Sequence, residues 1–234
     1  MSNAKDFMDK FKVLENLLRD KFNIEDYNKS ALKEVEDIPQ FRTIKGDLRY
    51  IRQIRNLISH KTTINGEYPV EPHIKIVNKI QDIIDYINNP PKAYDKCVKI
   101  NEVCYASKNE KIYPYMLAMK DNVFTHIPIL EQGVVIGVFS ENTLFGALIE
   151  DELVYEKEKT TFQNELINKY CCLTNHITET FSFIKKDLLL EDVKEMFLKS
   201  FKNKQRLAML FITQNGKKDE KLLGILTPWD VLGK

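Results

Sequence analysis

A pattern that occurs twice in the C-terminal half constrains this chain more than any other feature. His126–Leu130 and Val134–Phe139 are short apolar runs separated by Glu131-Gln132-Gly133, the composition of two strands joined by a tight turn. Ala208–Ile212 and Leu222–Leu226 repeat the design around the polar stretch Gln214–Asp219. A stretch with helical spacing precedes each hairpin, Ile112–Lys120 in the first case and Leu190–Phe201 in the second. A hydroxyl residue, Ser140 or Thr227, follows each hairpin and opens a further helix. The order strand, helix, strand, strand, helix therefore appears twice, as an internal repeat of pattern rather than of close identity.

Residues 1–92 obey a different period. Phe7, Met8, Phe11, Leu14, Leu17 and Leu18 recur at steps of three and four, as do Leu48, Ile51, Ile54 and Ile58, and then Ile76, Ile80, Ile83, Ile84 and Ile87. That spacing predicts amphipathic helices whose apolar faces meet in a bundle of three to five. Pro39, Asn65-Gly66 and Pro69/Pro72 mark the joints, and Asn88-Asn89-Pro90-Pro91 ends the bundle. We divide the chain into a helical bundle at 1–92, a first repeat at 93–152, a linker at 153–177 and a second repeat at 178–234.

Composition narrows the function classes. The 35 Lys+Arg and 34 Asp+Glu leave a net charge of +1, which argues against a protein that coats nucleic acid, though not against a local basic patch. No apolar run reaches the length of a membrane span, and no basic-then-apolar leader is expected. Cys97, Cys104, Cys171 and Cys172 lack metal or redox spacing, so we expect free thiols in the cytoplasm and no metal. Phosphate-loop, dinucleotide and nucleophile-elbow motifs are missing.

Gly137-Val-Phe-Ser140-Glu-Asn-Thr143 and Gly224-Ile-Leu-Thr227-Pro-Trp-Asp230, with His126-Ile-Pro128 and the order of elements around them, resemble a pair of cystathionine-β-synthase (CBS) domains, the Bateman module. The resemblance covers about residues 93–234. It implies an α+β chain: an all-α bundle followed by two βαββα repeats packed as a pseudo-twofold pair. Family members commonly bind adenosine nucleotides between the repeats, so it implies an AMP, ADP or ATP ligand and a homodimer through the CBS faces. It assigns the ribose to Thr227 and Asp230, and places Phe183 against the adenine and Ser140 in the other cleft. The chemistry agrees, because a carboxylate accepts both hydroxyls of a diol and a hydroxyl one turn earlier adds a further group. Thr227-Pro228-Trp229-Asp230 is equally a helix start, with Thr as cap, Pro in the first turn and Asp answering the dipole. In the first repeat Thr143 stands where the carboxylate belongs, which predicts a weak or empty cleft.

Arg55-Asn56-Leu57-Ile58-Ser59-His60 resembles the Arg-Asn-x-x-x-His motif of HEPN domains, helical bundles of which many are metal-independent ribonucleases acting as dimers. The resemblance implies a catalytic set of Arg55, Asn56 and His60, with RNA as substrate. Arg42, Lys45, Arg49, Arg52 and Arg55 would line a phosphate track. Arginines on the wet face of an amphipathic helix are, however, ordinary.

Overall fold

A computed structural model describes residues 2–59, 68, 70–149, 156, 159–176, 178–202 and 205–232. The chain separates into two compact units, Met1–Pro91 and Lys92–Lys234.

The first unit is helical. Helix α1 (Asn3–Phe22) opens on Ser2, whose hydroxyl accepts from Lys5 N, and Glu71 accepts from Ala4 N at 3.1 Å. It ends where Asn23 takes a left-handed conformation at φ 52°, which a short polar side chain tolerates. After α2 (Ala31–Val35) and a 3-10 turn at Pro39–Ile44 come α3 (Lys45–Ser59) and α4 (Ile74–Asn88). Phe7, Phe11, Leu14 and Leu18 of α1 share one core with Leu48, Ile51 and Ile58 of α3 and Val77, Ile80 and Ile84 of α4. All but Val77 are positions the sequence spaces three and four apart; its neighbour Ile76, expected there, is only partly buried.

The second unit contains the repeats. Helix α5 (Ala93–Lys96) leads into β1 (Val98–Lys99), and the first repeat follows as β2 (Ala106–Ser107), α6 (Ile112–Asn122), β3 (His126–Glu131), β4 (Val134–Ser140) and α7 (Glu141–Ile149). A short α8 (Asn164–Leu166) continues as a π-helical turn, Ile167–Cys171. The second repeat is β5 (Glu179–Lys185), α9 (Leu190–Ser200), β6 (Arg206–Thr213), β7 (Gly224–Leu226) and α10 (Pro228–Leu232). In each, the first strand runs parallel to the second across a helical crossover, and the hairpin is antiparallel. At the first hairpin Gln132 and Gly133 both have positive φ, 52° and 84°, as a two-residue turn between twisted strands demands. The fold is thus α+β, a helical segment followed by two βαββα repeats.

The repeats exchange their leading segments. Strand β1 precedes the first repeat yet pairs with β7 of the second, Val98 opposite Ile225 and Lys99 opposite Gly224, giving the sheet order β1-β7-β6-β5. The π-helical turn precedes the second repeat and packs on β4 of the first. A glycine admits each crossing. A Cβ on Gly224 would stand 2.6 Å from Cys97 Sγ and from Val98 O, and one on Gly137 would stand 2.7 Å from Cys171 O. The glycine of each Gly-x-x-Ser/Thr motif therefore serves packing first. The stretch named a linker is also part of the core, since Phe162 is fully buried against Phe139.

Two cores lie under the helices. One gathers Ile112, Ile127, Ile129, Phe139 and Phe162, and the other Val193, Phe197, Leu210, Ile212 and Leu226. A third core joins the repeats, combining Leu130, Val135 and Val138 with Met209, Phe211 and Leu222.

Candidate functional site

The corners where β7 meets α10 and β4 meets α7 carry the ligand residues expected from the sequence. At the second-repeat corner Asp230 folds back over the helix start. Its Oδ2 accepts from Thr227 N and from Thr227 Oγ1, both at 2.7 Å. These two bonds fix the carboxylate's rotamer and finish the first turn of α10, the cap that the sequence allowed. Oδ1 accepts from no donor among the described residues, and both side chains are half-buried. Thr227 Oγ1 gives its proton to Asp230 and keeps its lone pairs as acceptors.

Phe183 and Ile225 pack against the same inter-repeat cluster. Both pair with Phe211, Phe183 across the parallel ladder and Ile225 across the antiparallel one. The rings of Phe183 and Phe211 lie 5.1 Å apart. Thr227 directly follows the last residue of β7.

The first-repeat corner is closed. Ser140 is 1% exposed, and its Oγ caps α7 by accepting from Thr143 N at 3.3 Å. Thr143 answers by accepting from Ser140 N at 2.9 Å and donating to Ser140 O at 2.7 Å. The carboxylate of Glu179, itself 1% exposed, enters from β5 and accepts from Ser140 Oγ at 3.4 Å and from Asn142 Nδ2. It also bonds the Nε2 of His126. A buried anion costs heavily unless paired, and here three side chains of the first repeat surround it. Burial pushes the Glu179 carboxyl up, but the bonds from His126 and Asn142 outweigh it and hold the group down at about 2. Beside it His176 is buried and its Nε2 has no partner among the described residues; burial lowers its pKa.

Glu179 and His176 escaped the sequence reading. The available signal was a lone carboxylate at the head of an apolar strand, Glu179-Thr-Phe-Ser-Phe-Ile184. Nothing local says which residues answer it, because its partners lie 37 to 53 positions away.

In the bundle, Arg55 and Asn56 sit on α3, where Arg55 Nη1 donates to Asn56 Oδ1 at 3.3 Å. The guanidinium stacks over Phe11 at 5.6 Å, and its buried Nε has no acceptor among the described residues. His60 lies outside the described residues. The basic stripe is partly neutralised: Arg49 and Arg52 both pair with Glu36, and Lys45 pairs with Asp37. Among the described residues no cluster of His, Cys, Asp or Glu is arranged to hold a metal. No helix there is long and apolar enough to cross a membrane.

No protein-family model matches the chain. No curated protein matches it either. Solved structures do. The CBS-pair protein CBSX2 from Arabidopsis thaliana is similar at 16% identity over 62% of this chain and 94% of that one, with a TM-score of 0.42. A structure of CBSX2 in complex with AMP matches at 16% identity over 61% and 93%, with a TM-score of 0.42. The CBS domain pair of protein MJ0100, in complex with 5′-methylthioadenosine and S-adenosyl-L-methionine, matches at 16% identity over 61% and 93%, with a TM-score of 0.38.

Proposed function

We propose that residues 93–152 and 178–234, joined by 153–177, form a regulatory CBS pair that binds an adenine nucleotide of the AMP, ADP or ATP type. The site is the corner at Thr227 and Asp230. One observation carries this reading: Thr227 locks Asp230 through Oδ2 while Oδ1 has no donor among the described residues. A carboxylate already ordered loses little entropy on binding. Oδ1 accepts one ribose hydroxyl, and the lone pairs of Thr227 Oγ1 accept its neighbour. The cap and the ligand site are thus one group of atoms in two uses. Phe183, in the apolar wall shared with Ile225, supplies an aromatic face toward the base. The first corner, filled by Glu179, takes no nucleotide, so one ligand binds per chain.

Occupancy acts on the N-terminal bundle at residues 1–92, provided that the ligand prefers one arrangement of the repeats. The pair assembles as a homodimer through its helical faces, where Phe145, Ile149, Phe201 and Trp229 are 65%, 64%, 60% and 83% exposed. The setting is a reducing cytoplasm, which suits the free thiols of Cys97 and Cys171. Equilibrium dialysis of labelled nucleotide against wild-type protein and Asp230→Ala tests the site. Loss of binding in the variant with an unchanged circular dichroism spectrum supports it, and equal binding by both removes it.

A second reading is a nucleotide-regulated, metal-independent HEPN-type ribonuclease that uses Arg55, Asn56 and His60, with the CBS pair as its regulator. The pairing of Arg55 Nη1 with Asn56 Oδ1 on α3 favours it, since it holds two residues of the motif together. An RNA pool left uncut by wild-type protein, with and without nucleotide, rules it out.

A further inference from the structure

Glu179 ties two repeats together. It belongs to β5 of the second repeat, paired opposite Arg206 of β6, yet every side chain bonded to its carboxylate belongs to the first. His126 is on β3, Ser140 ends β4 and Asn142 is in α7. His126 is oriented from behind, its Nδ1 bonded to Thr125 Oγ1 at 2.7 Å. The ring of Phe181, two residues along β5 and on the same face, meets both histidines edge-on, His126 at 5.9 Å and His176 at 4.7 Å. The cluster is therefore packed as well as bonded.

His176 is the member out of balance. It is 7% exposed, its own carbonyl accepts from Gln205 Nε2 at 3.1 Å, and its Nε2 is buried with no partner among the described residues. A bare imidazole nitrogen tolerates this as long as it carries no proton. Once protonated, Nε2 becomes a buried donor with no acceptor among the described residues, an imbalance that opening the cluster to water relieves. We propose that Glu179, His126 and His176 form a proton-operated clasp between the repeats, closed at neutral pH and opened when His176 takes up a proton.

The other ionisable groups around the cluster do not take over this role. Cys171, on the π-helical turn behind His176, is held as a thiol by burial, pushed up to about 12. Arg206, opposite Glu179, and Glu141, beside Asn142 on α7, are exposed to solvent. Burial lowers the His176 pKa from its ordinary 6.5, outweighing the Glu179 carboxylate and the Cys171 backbone, which raise it. The open state therefore binds the proton more tightly than the closed one, and closure weakens as pH falls below about 6.5. Glu179 acts in the same direction at lower pH, between 4.5 and about 2.

Hydrogen exchange on the full chain at pH 7.5 and 5.5, corrected for intrinsic rates, tests the clasp. Peptides covering β3, the end of β4 and the head of β5 should exchange faster at the lower pH. The rise is at most about tenfold per pH unit, the ceiling for one proton. Peptides from α1 and α4 should not change. His176→Phe, which packs on Phe181 without a titrating nitrogen, should flatten the response; if it fails to fold, His176→Asn serves instead. Equal wild-type exchange at both pH values, or a response kept in full by the folded variant, overturns the proposal.

Discussion

His126 Nε2 and the Glu179 carboxylate bond to each other across the two repeats, with Glu179 1% exposed. This pair occupies the first-repeat corner whose counterpart in the second repeat holds Asp230. Two corners built on the same order of elements thus differ in what fills them. One is closed by the protein's own acid, and the other carries a carboxylate with an oxygen to spare.

The asymmetry predicts how Glu179→Gln behaves. The amide keeps the shape but replaces an acceptor with a donor facing His126 or Asn142, so folding should be weakened at neutral pH. Glu179 is held at about 2, below its ordinary 4.5, so its contribution is complete above pH 4.5 and disappears toward 2. Thermal melts at pH 7 and pH 3 should show a wild-type advantage that shrinks at the lower pH. An equal gap at both would contradict the assignment.

Glycine substitutions separate packing from conformational freedom. Gly137→Ala puts a Cβ 2.7 Å from Cys171 O, a backbone atom that cannot swing away, and should cost about 1–3 kcal/mol. Gly146, in α7, has nothing within 4 Å of the same Cβ, so Gly146→Ala should stabilise by about 0.5–1 kcal/mol. Urea denaturation of both checks the sign; a neutral Gly137→Ala would show that the crossing segment gives way.

The start of α10 permits a similar separation. Thr227→Ala removes the hydroxyl that Asp230 accepts from and should cost about 1 kcal/mol, whereas Thr227→Ser keeps it. On the proposed function both stability and nucleotide affinity fall in the first variant and persist in the second. Unchanged affinity in Thr227→Ala would leave the hydroxyl a cap alone.

For the ribonuclease reading, His60→Ala should abolish cleavage of RNA while leaving the melting curve intact. Persistent cleavage in that variant would point to a contaminating enzyme.

Much of the fold was legible because it is periodic. The three-four spacing of Phe7 to Leu18 and the two hairpins around Gly133 and Gln214–Asp219 are local signals, and they place the helices and strands they suggest. The exchange of leading segments was not legible. Val98-Lys99 is too short to read as a strand, and only Gly224, with no room for a Cβ, records that another segment crosses there. At the sites, the helix start at Thr227 and Asp230 was readable from spacing. Glu179 was not, since a buried acid is explained by partners that only folding brings to it.

The most direct measurement is a calorimetric titration of the full chain with AMP, ADP, ATP and S-adenosylmethionine, repeated on Asp230→Ala. We expect at least one of the first three to bind one per chain, and the variant to lose that heat while remaining folded. No binding of any of the four at millimolar concentration, or undiminished binding by Asp230→Ala, would contradict the account.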